Sequence, residues 1–134
     1  IDLRHEFEQK VLRYFSTSYF NGLTPNPCMI CNREIKFGLF MDKILEYGIE
    51  KIATGHYSRI IEQNGFFRLH CGADPQKDQS YFLSRLDQQQ LSRIIFPLGK
   101  KKKESTYLFV EDHGFMHFRG RESQDVCFLE KKSI

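Results

Sequence analysis

Two prolines within residues 24–27 limit the fold of this chain more than any other sequence feature. A residue that precedes proline avoids the α region, so Thr-Pro-Asn-Pro predicts an extended, turn-rich loop. Before this loop, Asp2 can cap a helix whose apolar residues recur about four positions apart until Gly22. After the loop, a similar periodicity predicts a second helix over residues 33–47, ended by Gly48. The prolines therefore separate two amphipathic helices.

The residues after the second helix indicate a sheet. Residues 51–55 form a short apolar run closed by glycine, which is typical of a buried strand that leads into a functional loop. Asn64 and Gly65 lie between two strand-like runs and predict a β-hairpin. The remaining predicted elements are a helix over residues 80–86, a short helix capped by Asp87, a helix from the lysines at 100–103 to residues 113–114, and a strand over residues 123–129. Because helical and strand patterns alternate, the predicted fold class is α/β.

Length, charge and cysteine content narrow the class of protein. The 134 residues are enough for one domain with its own core. A net charge of +3 permits a nucleic-acid partner without requiring one. No apolar stretch is long enough to span a bilayer, so no membrane partner is expected. Four cysteines without other signs of secretion indicate reduced thiols in the cytoplasm. The sequence opens on a helical pattern without Met, and we interpret it as part of a longer protein.

Cys28 and Cys31 are the first candidates for chemistry. Two cysteines at this spacing fit half of a zinc site, a redox pair of the thioredoxin type, or the ligands and nucleophile of a sulfur-transfer site. The first reading is weakened because the sequence has no second close pair, and the second because Thr-Pro-Asn-Pro rather than an apolar strand precedes the motif. The two thiols lie near the positive end of the predicted second helix, which favours thiolate over thiol.

Three motifs resemble those of one enzyme family. Residues 26–37, Asn-Pro-Cys-Met-Ile-Cys-Asn-Arg-Glu-Ile-Lys-Phe, resemble the segment around the catalytic cysteine of tRNA-specific 2-thiouridylases of the PP-loop ATP pyrophosphatase type. Residues 123–129, Ser-Gln-Asp-Val-Cys-Phe-Leu, resemble the second cysteine motif of that family, and residues 74–83 resemble a third motif. These enzymes activate uridine with ATP and replace its 2-oxygen with sulfur. The resemblance covers nearly the whole chain, and the three independent motifs occur in the same order as in the family.

The resemblance implies roles for the residues around the cysteines. Cys31 matches the catalytic cysteine, and Cys127 matches the cysteine that carries a persulfide or binds a cluster. Asn26, Pro27 and Cys28 match residues that meet the target base. Taken alone, Cys127 within an apolar strand is more often simply buried.

The resemblance also implies contacts to ATP and tRNA. Gly55 matches a backbone contact to ATP, and His56 matches a contact to tRNA, although a lone histidine after a strand is more often structural. Lys77, Asp78 and Gln79 match a tRNA-contacting triplet. The alternative for this triplet is a turn followed by a helix cap, and both readings can hold together.

Two positions depart from the family pattern. Many members have Asp where Cys28 stands, and most have Gly where Asp125 stands. A thiol is a weaker acid than a carboxyl group but a better ligand for soft metals. Cys28, Cys31 and Cys127 therefore fit a metal site, a 4Fe-4S cluster with one open iron, as well as a persulfide cycle in which Cys31 and Cys127 form a disulfide.

Together these expectations describe a tRNA-uridine 2-sulfurtransferase. The implied fold is a partial Rossmann-like parallel sheet, similar to adenine nucleotide alpha hydrolases, with a small connecting region and a hairpin. Residues 1–75 are expected to be the later part of the nucleotide-binding domain and residues 76–134 the rest of the catalytic region. The sequence lacks the family's Ser-Gly-Gly-x-Asp-Ser phosphate loop, so the Mg-dependent ATP site is incomplete and the fragment alone is expected to be inactive.

The expected partners are tRNA, a sulfur-donor protein or sulfide, and the missing N- and C-terminal parts of the same enzyme. Two alternatives from other classes stay open. One is a non-catalytic metal- or tRNA-binding module, and the other is a thiol redox domain.

Overall fold

The computed structural model of the chain describes residues 1–115, 119 and 126–129. Helices and strands alternate along it, which confirms the α/β fold class. The helices of these residues are α1, with consecutive segments Arg4–Phe7, Glu8–Leu12 and Arg13–Phe20; α2, with segments Pro27–Ile30, Cys31–Leu39 and Phe40–Glu46; α3, Gln88–Ser92; and α4, Lys103–Asp112. The strands are β1, Ile52–Ala53; β2, Ser58–Gln63; β3, Phe66–Cys71; and β4, Ile94–Ile95.

The strands pair in two ways. β1 and β4 are parallel, with Ile52 opposite Ile94, although they are far apart in sequence. β2 and β3 form the predicted antiparallel hairpin. Its turn places Asn64 at φ 53° and Gly65 at φ 78°, the two positive values that a tight turn between twisted strands needs. The hairpin lies in the crossover between the two parallel strands.

The first helix agrees with its sequence signals. The Asp2 carboxylate accepts the Arg4 backbone N–H at 3.0 Å, so it satisfies a helix donor although the N-cap residue is Leu3. The helix ends before Gly22, which has a φ of 70°. In contrast, the predicted helix over residues 80–86 is only a 3-10 turn, Ser80–Leu83.

A kink interrupts α2 at Gly38, which has the non-helical angles φ −103° and ψ −106°. The side-chain amide of Gln90 enters the gap, and its Nε2 donates to the carbonyls of Arg33 at 2.8 Å and Phe37 at 3.0 Å. Gln90 is held there because it forms a capping box with Asp87, the predicted cap of α3. A side chain that satisfies freed carbonyls is a recognised cause of a helix kink.

The core lies between α2 and the parallel strands. Phe37, Met41, Leu83 and Ile94 form one buried cluster, so the two sides of the α2 kink, the 3-10 turn and β4 share the same apolar interior. None of the helices in the described part of the chain combines the length and apolar character needed to cross a bilayer.

The expected division of the chain near residue 75 stays a prediction.

Candidate active site

The helix that carries the first two cysteines begins earlier than predicted. The Asn26 side chain accepts the Met29 backbone N–H at 3.1 Å, and Pro27 occupies the first helical turn. Asn as N-cap and Pro at the next position is a strong start signal, so the predicted start of this helix at residue 33 was too late. Cys28 and Cys31 are three positions apart on this helix and therefore share one side of it.

A cavity of about 620 Å³ lies against this side of α2. Its wall is formed by α1, the start of α2, His56 in the loop after β1, Gln79 and the segment 126–128. The predicted site residues that line it are Asn26, Pro27, Cys28, Cys31, His56, Gln79 and Cys127. The fold thus brings the two cysteine motifs, from opposite ends of the sequence, to one cavity.

Cys127 lies in a turn and not in a strand. The Leu129 backbone N–H donates to the Val126 carbonyl at 3.0 Å, and Cys127 between them is exposed. The strand prediction was therefore wrong for residues 126–129, while residues 123–125 lie outside the described residues. An exposed thiol also rules out simple burial of Cys127. All four cysteines are free thiols, and no disulfide joins Cys31 to Cys127.

Burial dominates the acidity of the two helix thiols. It raises the pKa of Cys28, with a further increase from the nearby Cys127. Burial also raises the pKa of Cys31, and the positive charge of Lys36 opposes this increase only in part. The expectation that the helix start favours thiolate was therefore wrong, because desolvation of the charged form outweighs the opposing charge.

Lys36 is a site residue that sequence reasoning did not identify, although it stands in the first motif. It lines the cavity, where its charge helps to lower the pKa of His56 and partly offsets the increase that burial causes in the pKa values of Cys28 and Cys31. It follows Cys31 by five positions, the hydrogen-bonding interval of a π-helix, and Cys31–Leu39 has π-helical turns. A search at α-helical spacing misses this pairing.

Asn32 is a second site residue that the sequence did not single out. It is only 3% exposed, lines the cavity and donates from its amide to the Phe82 carbonyl at 3.1 Å. Among the residues that the structure describes, nothing donates a hydrogen bond to its Oδ1. Buried acceptors without a donor are rare, so Asn32 is a candidate contact for a donor that a ligand or water supplies.

The His56 ring packs against two aromatic rings that also contact each other. Its ring centroid lies 6.0 Å from that of Phe37 and 5.7 Å from that of Phe96, and its Nδ1 is 2.8 Å from the Thr54 hydroxyl. Burial and the charge of Lys36 lower its pKa to about 4. The ring is therefore neutral near pH 7, which suits a hydrogen bond or base contact better than the neutralisation of a phosphate.

The residues predicted to contact ATP and tRNA are only partly gathered at the cavity. Gly55 is exposed next to His56, and a Cβ there would meet Leu98 at an ordinary 3.8 Å. Gln79 reaches the cavity and is tied to Tyr57: its side-chain oxygen accepts the Tyr57 N–H at 3.0 Å, and its own N–H donates to the Tyr57 carbonyl at 3.0 Å. Lys77 is exposed and lies outside the cavity lining.

Asp78 supports the turn reading of this segment. Its carboxylate accepts from the Gly72 N–H at 2.7 Å and from the Ser80 hydroxyl at 2.7 Å. Burial acts to raise the pKa of Asp78, but these hydrogen bonds prevail and lower it. Because the carboxylate is already occupied, Asp78 orders the loop that presents Lys77 and Gln79.

No ready metal site accompanies the thiols. In the described part of the chain, no three or more His, Cys, Asp or Glu side chains are arranged so that they could hold a metal ion. As placed here, Cys28, Cys31 and Cys127 share a cavity without forming the ligand set that an iron–sulfur cluster needs.

Comparison with known proteins relates the whole chain to tRNA-modifying enzymes. Residues 1–131 match the family model described as the tRNA methyl transferase HUP domain. The chain is 62% identical over 134 residues to the tRNA-specific 2-thiouridylase MnmA of Desulfotalea psychrophila, with all of this chain and 39% of the relative covered. It is 49% identical over 132 residues to the protein of the same name from Treponema denticola, with 96% of this chain and 36% of the relative covered. The chain thus spans less than two fifths of the length of these curated relatives, and it belongs to the tRNA methyl transferase HUP domain family.

Proposed function

We propose that this chain forms the sulfur-transfer site of an ATP-dependent tRNA 2-thiouridylase. The main support is that Cys127 lines the same cavity as Cys28 and Cys31, although it is far from them in the sequence. The relatives are named tRNA-specific 2-thiouridylases, and a set of thiols suits the transfer of sulfur. The family description speaks of methyl transfer, and the product assay below separates the two.

The proposed reaction has two stages. The O2 of the target uridine first attacks the α-phosphate of ATP, which forms the adenylated base and releases pyrophosphate. We expect other parts of the intact protein to bind the phosphates and Mg²⁺ while Gly55 contacts the nucleotide. The terminal sulfur of a persulfide on Cys127 then attacks C2, and AMP leaves. Attack of the Cys31 thiolate on the Cys127 sulfur frees 2-thiouridine and leaves a Cys31–Cys127 disulfide. Sulfide that attacks the Cys127 sulfur of this disulfide regenerates the Cys127 persulfide and the Cys31 thiol. In the route with a sulfur-donor protein, an external thiol reductant first returns both cysteines to thiols, and the donor then passes the outer sulfur of its own persulfide to the Cys127 thiolate and is left as a thiol.

The residues around the thiols have distinct parts in this scheme. Lys36 opposes the burial that keeps Cys31 protonated, so it favours the thiolate that must act as nucleophile. Asn26, Pro27 and Cys28 border the space for the target base. Neutral His56 and Gln79 offer base contacts, while exposed Lys77 offers a phosphate contact. Free thiols fit a reducing compartment, which favours the cytoplasm.

A 4Fe-4S cluster on Cys28, Cys31 and Cys127 is the alternative that their softness suggests. When bound, such a cluster would offer an open iron for sulfide. The described side chains do not form a ready ligand set, so we favour the persulfide cycle and assign no step to a cluster.

Single cysteine variants of the intact protein test both schemes. Cys31→Ala and Cys127→Ala are expected to abolish 2-thiouridine in a tRNA transcript, measured by mass spectrometry of the digested RNA. Cys71→Ala is the matched control, because Cys71 is outside the cavity lining. Iron and sulfide analysis after anaerobic reconstitution separates the mechanisms: iron that is lost in Cys28→Ala but kept in Cys71→Ala would replace the persulfide cycle by a cluster.

The same assay addresses the other classes of function. A methylated product would replace sulfur transfer by methyl transfer. Tight tRNA binding without any modified product would indicate a binding module, and activity of Cys31→Ala at the wild-type level would refute the proposed site.

A further inference from the structure

A second cavity, of about 550 Å³, lies away from the cysteines and is strongly basic. Its charged lining consists of Lys51, Arg59, Lys100 and Lys101 against a single carboxylate, Glu62. The whole chain has 20 Lys and Arg against 17 Asp and Glu. The four-to-one ratio of this cavity is therefore a local concentration of positive charge and not a reflection of average composition.

The loop that presents two of these lysines is held in place. The Gly99 N–H donates to the Phe96 carbonyl at 3.1 Å, and the Lys101 N–H donates to the Leu98 carbonyl at 3.0 Å. The backbone at Gly99 lies so close to strand β2 that a Cβ there would collide with the Ser58 carbonyl. Lys100 and Lys101 therefore project from a fixed turn.

The opposite wall is also fixed. The side-chain amide of Gln88 in α3 forms two hydrogen bonds with the backbone of Phe67: it accepts from the N–H at 2.8 Å and donates to the carbonyl at 2.8 Å. The Arg59 Nε donates to the Cys71 carbonyl at 2.8 Å, which orients the guanidinium group. No ion pair to a described carboxylate involves Lys51, Lys100 or Lys101.

The basic cavity adjoins the cysteine cavity through one aromatic layer. Phe96 lines the basic cavity, and its ring packs edge-on against His56, which lines the cysteine cavity. One folded RNA is large enough to reach both. Several cations spread along an open groove fit the repeated charges of a phosphate backbone, which proteins bind without reading sequence.

We propose that the basic cavity, lined by Lys51, Arg59, Lys100 and Lys101, binds the phosphate backbone of the tRNA substrate at nucleotides other than the target uridine. The inference rests on the proposed function for the identity of the RNA. It adds a contact surface that is separate from the cysteine cavity and from the loop at Lys77.

The test measures the salt dependence of binding between the intact protein and an unmodified tRNA transcript. Each neutralised phosphate contributes about 0.7–0.9 to the slope of log K against log salt concentration. The triple variant Lys51→Gln, Lys100→Gln and Lys101→Gln is therefore expected to lower the magnitude of the slope by about two to three. Each single variant is expected to lower it by about one.

Lys43→Gln is the matched control, because it removes the same charge from an exposed position of α2 outside both cavities. It is expected to leave the slope unchanged. The single variants remove exposed side chains and keep the test informative if the triple variant is less stable.

The outcomes separate this inference from the proposed function. A triple variant that binds tRNA with the wild-type slope, while the wild type makes 2-thiouridine, would overturn the groove alone. A wild-type protein that binds no tRNA would overturn both. Lower affinity for ATP with unchanged affinity for tRNA would make the groove a nucleotide site, which also overturns the inference.

Discussion

His56 should make the stability of the protein sensitive to mild acid. Its ring packs against those of Phe37 and Phe96, and its pKa is lowered from 6.5 to about 4 by burial and by the charge of Lys36. In the unfolded chain the histidine takes up a proton near pH 6.5, whereas in the folded protein it does so only near pH 4. Protons therefore favour unfolding, and stability is lost as pH falls from 6.5 towards 4.

The size of the loss follows from the gap between the two pKa values. A gap from 6.5 to about 4 corresponds to about 3 kcal/mol at about 1.4 kcal/mol per pH unit. The ring also borders an open cavity, where solvent screens part of this cost. We therefore expect the free energy of unfolding to fall by about 1–2 kcal/mol from this one group.

The comparison uses His56→Phe, which keeps an aromatic ring packed against Phe37 and Phe96 but cannot take up a proton. Urea denaturation of the intact wild type and variant at pH 7, 5.5 and 4.5 measures their difference in stability. This difference should change by about 1–2 kcal/mol in favour of the variant as pH falls. An NMR titration of wild-type His56 with a midpoint at or above 6.5, or a difference that does not vary with pH, would refute the reasoning.

Two further substitutions test the site and the helix that carries it. Lys36→Gln should raise the pKa of Cys31 further, because it removes the charge that opposes burial; slower alkylation of Cys31 by iodoacetamide near pH 8, with Lys36→Arg close to wild type, is the expected result. Gly38→Ala should destabilise the intact protein by about 1–3 kcal/mol in urea denaturation, because its methyl group would lie 2.8 Å from the Arg33 carbonyl oxygen. Gly55→Ala is the control for this change, since its methyl group would have only ordinary contacts and should cost little.

The parts of the fold that sequence predicted correctly depend on local signals. Asn64 and Gly65 specify the hairpin because both adopt positive φ without a large penalty. Asp87 specifies the start of α3 because its carboxylate accepts the Gln90 N–H at 2.9 Å. In both cases the residues that determine the geometry are within four positions of each other.

The errors arose where two local rules compete or where a distant contact decides. The predicted loop is confirmed for residues 24–26, but Pro27 is also a favoured first residue of a helix once Asn26 caps it, so α2 begins there. The π-helical turns that bring Lys36 to the cavity, and the kink that Gln90 holds open, depend on packing between elements. The family resemblance named seven residues of the cavity lining, but no periodicity could show that they meet there.

The loop from Asp74 to Gln79 is fixed before any ligand arrives. Asp74 accepts the Lys103 N–H at 2.9 Å at the start of α4, Asp78 holds Gly72, and Gln79 holds Tyr57. Ordering the backbone of a free loop costs about 1–2 kcal/mol of entropy per residue. Because folding already orders this loop, a ligand that contacts it does not bear that entropic cost on binding. Calorimetry should therefore find a small entropic penalty for binding. This penalty should grow when Asp74 is replaced by Ala.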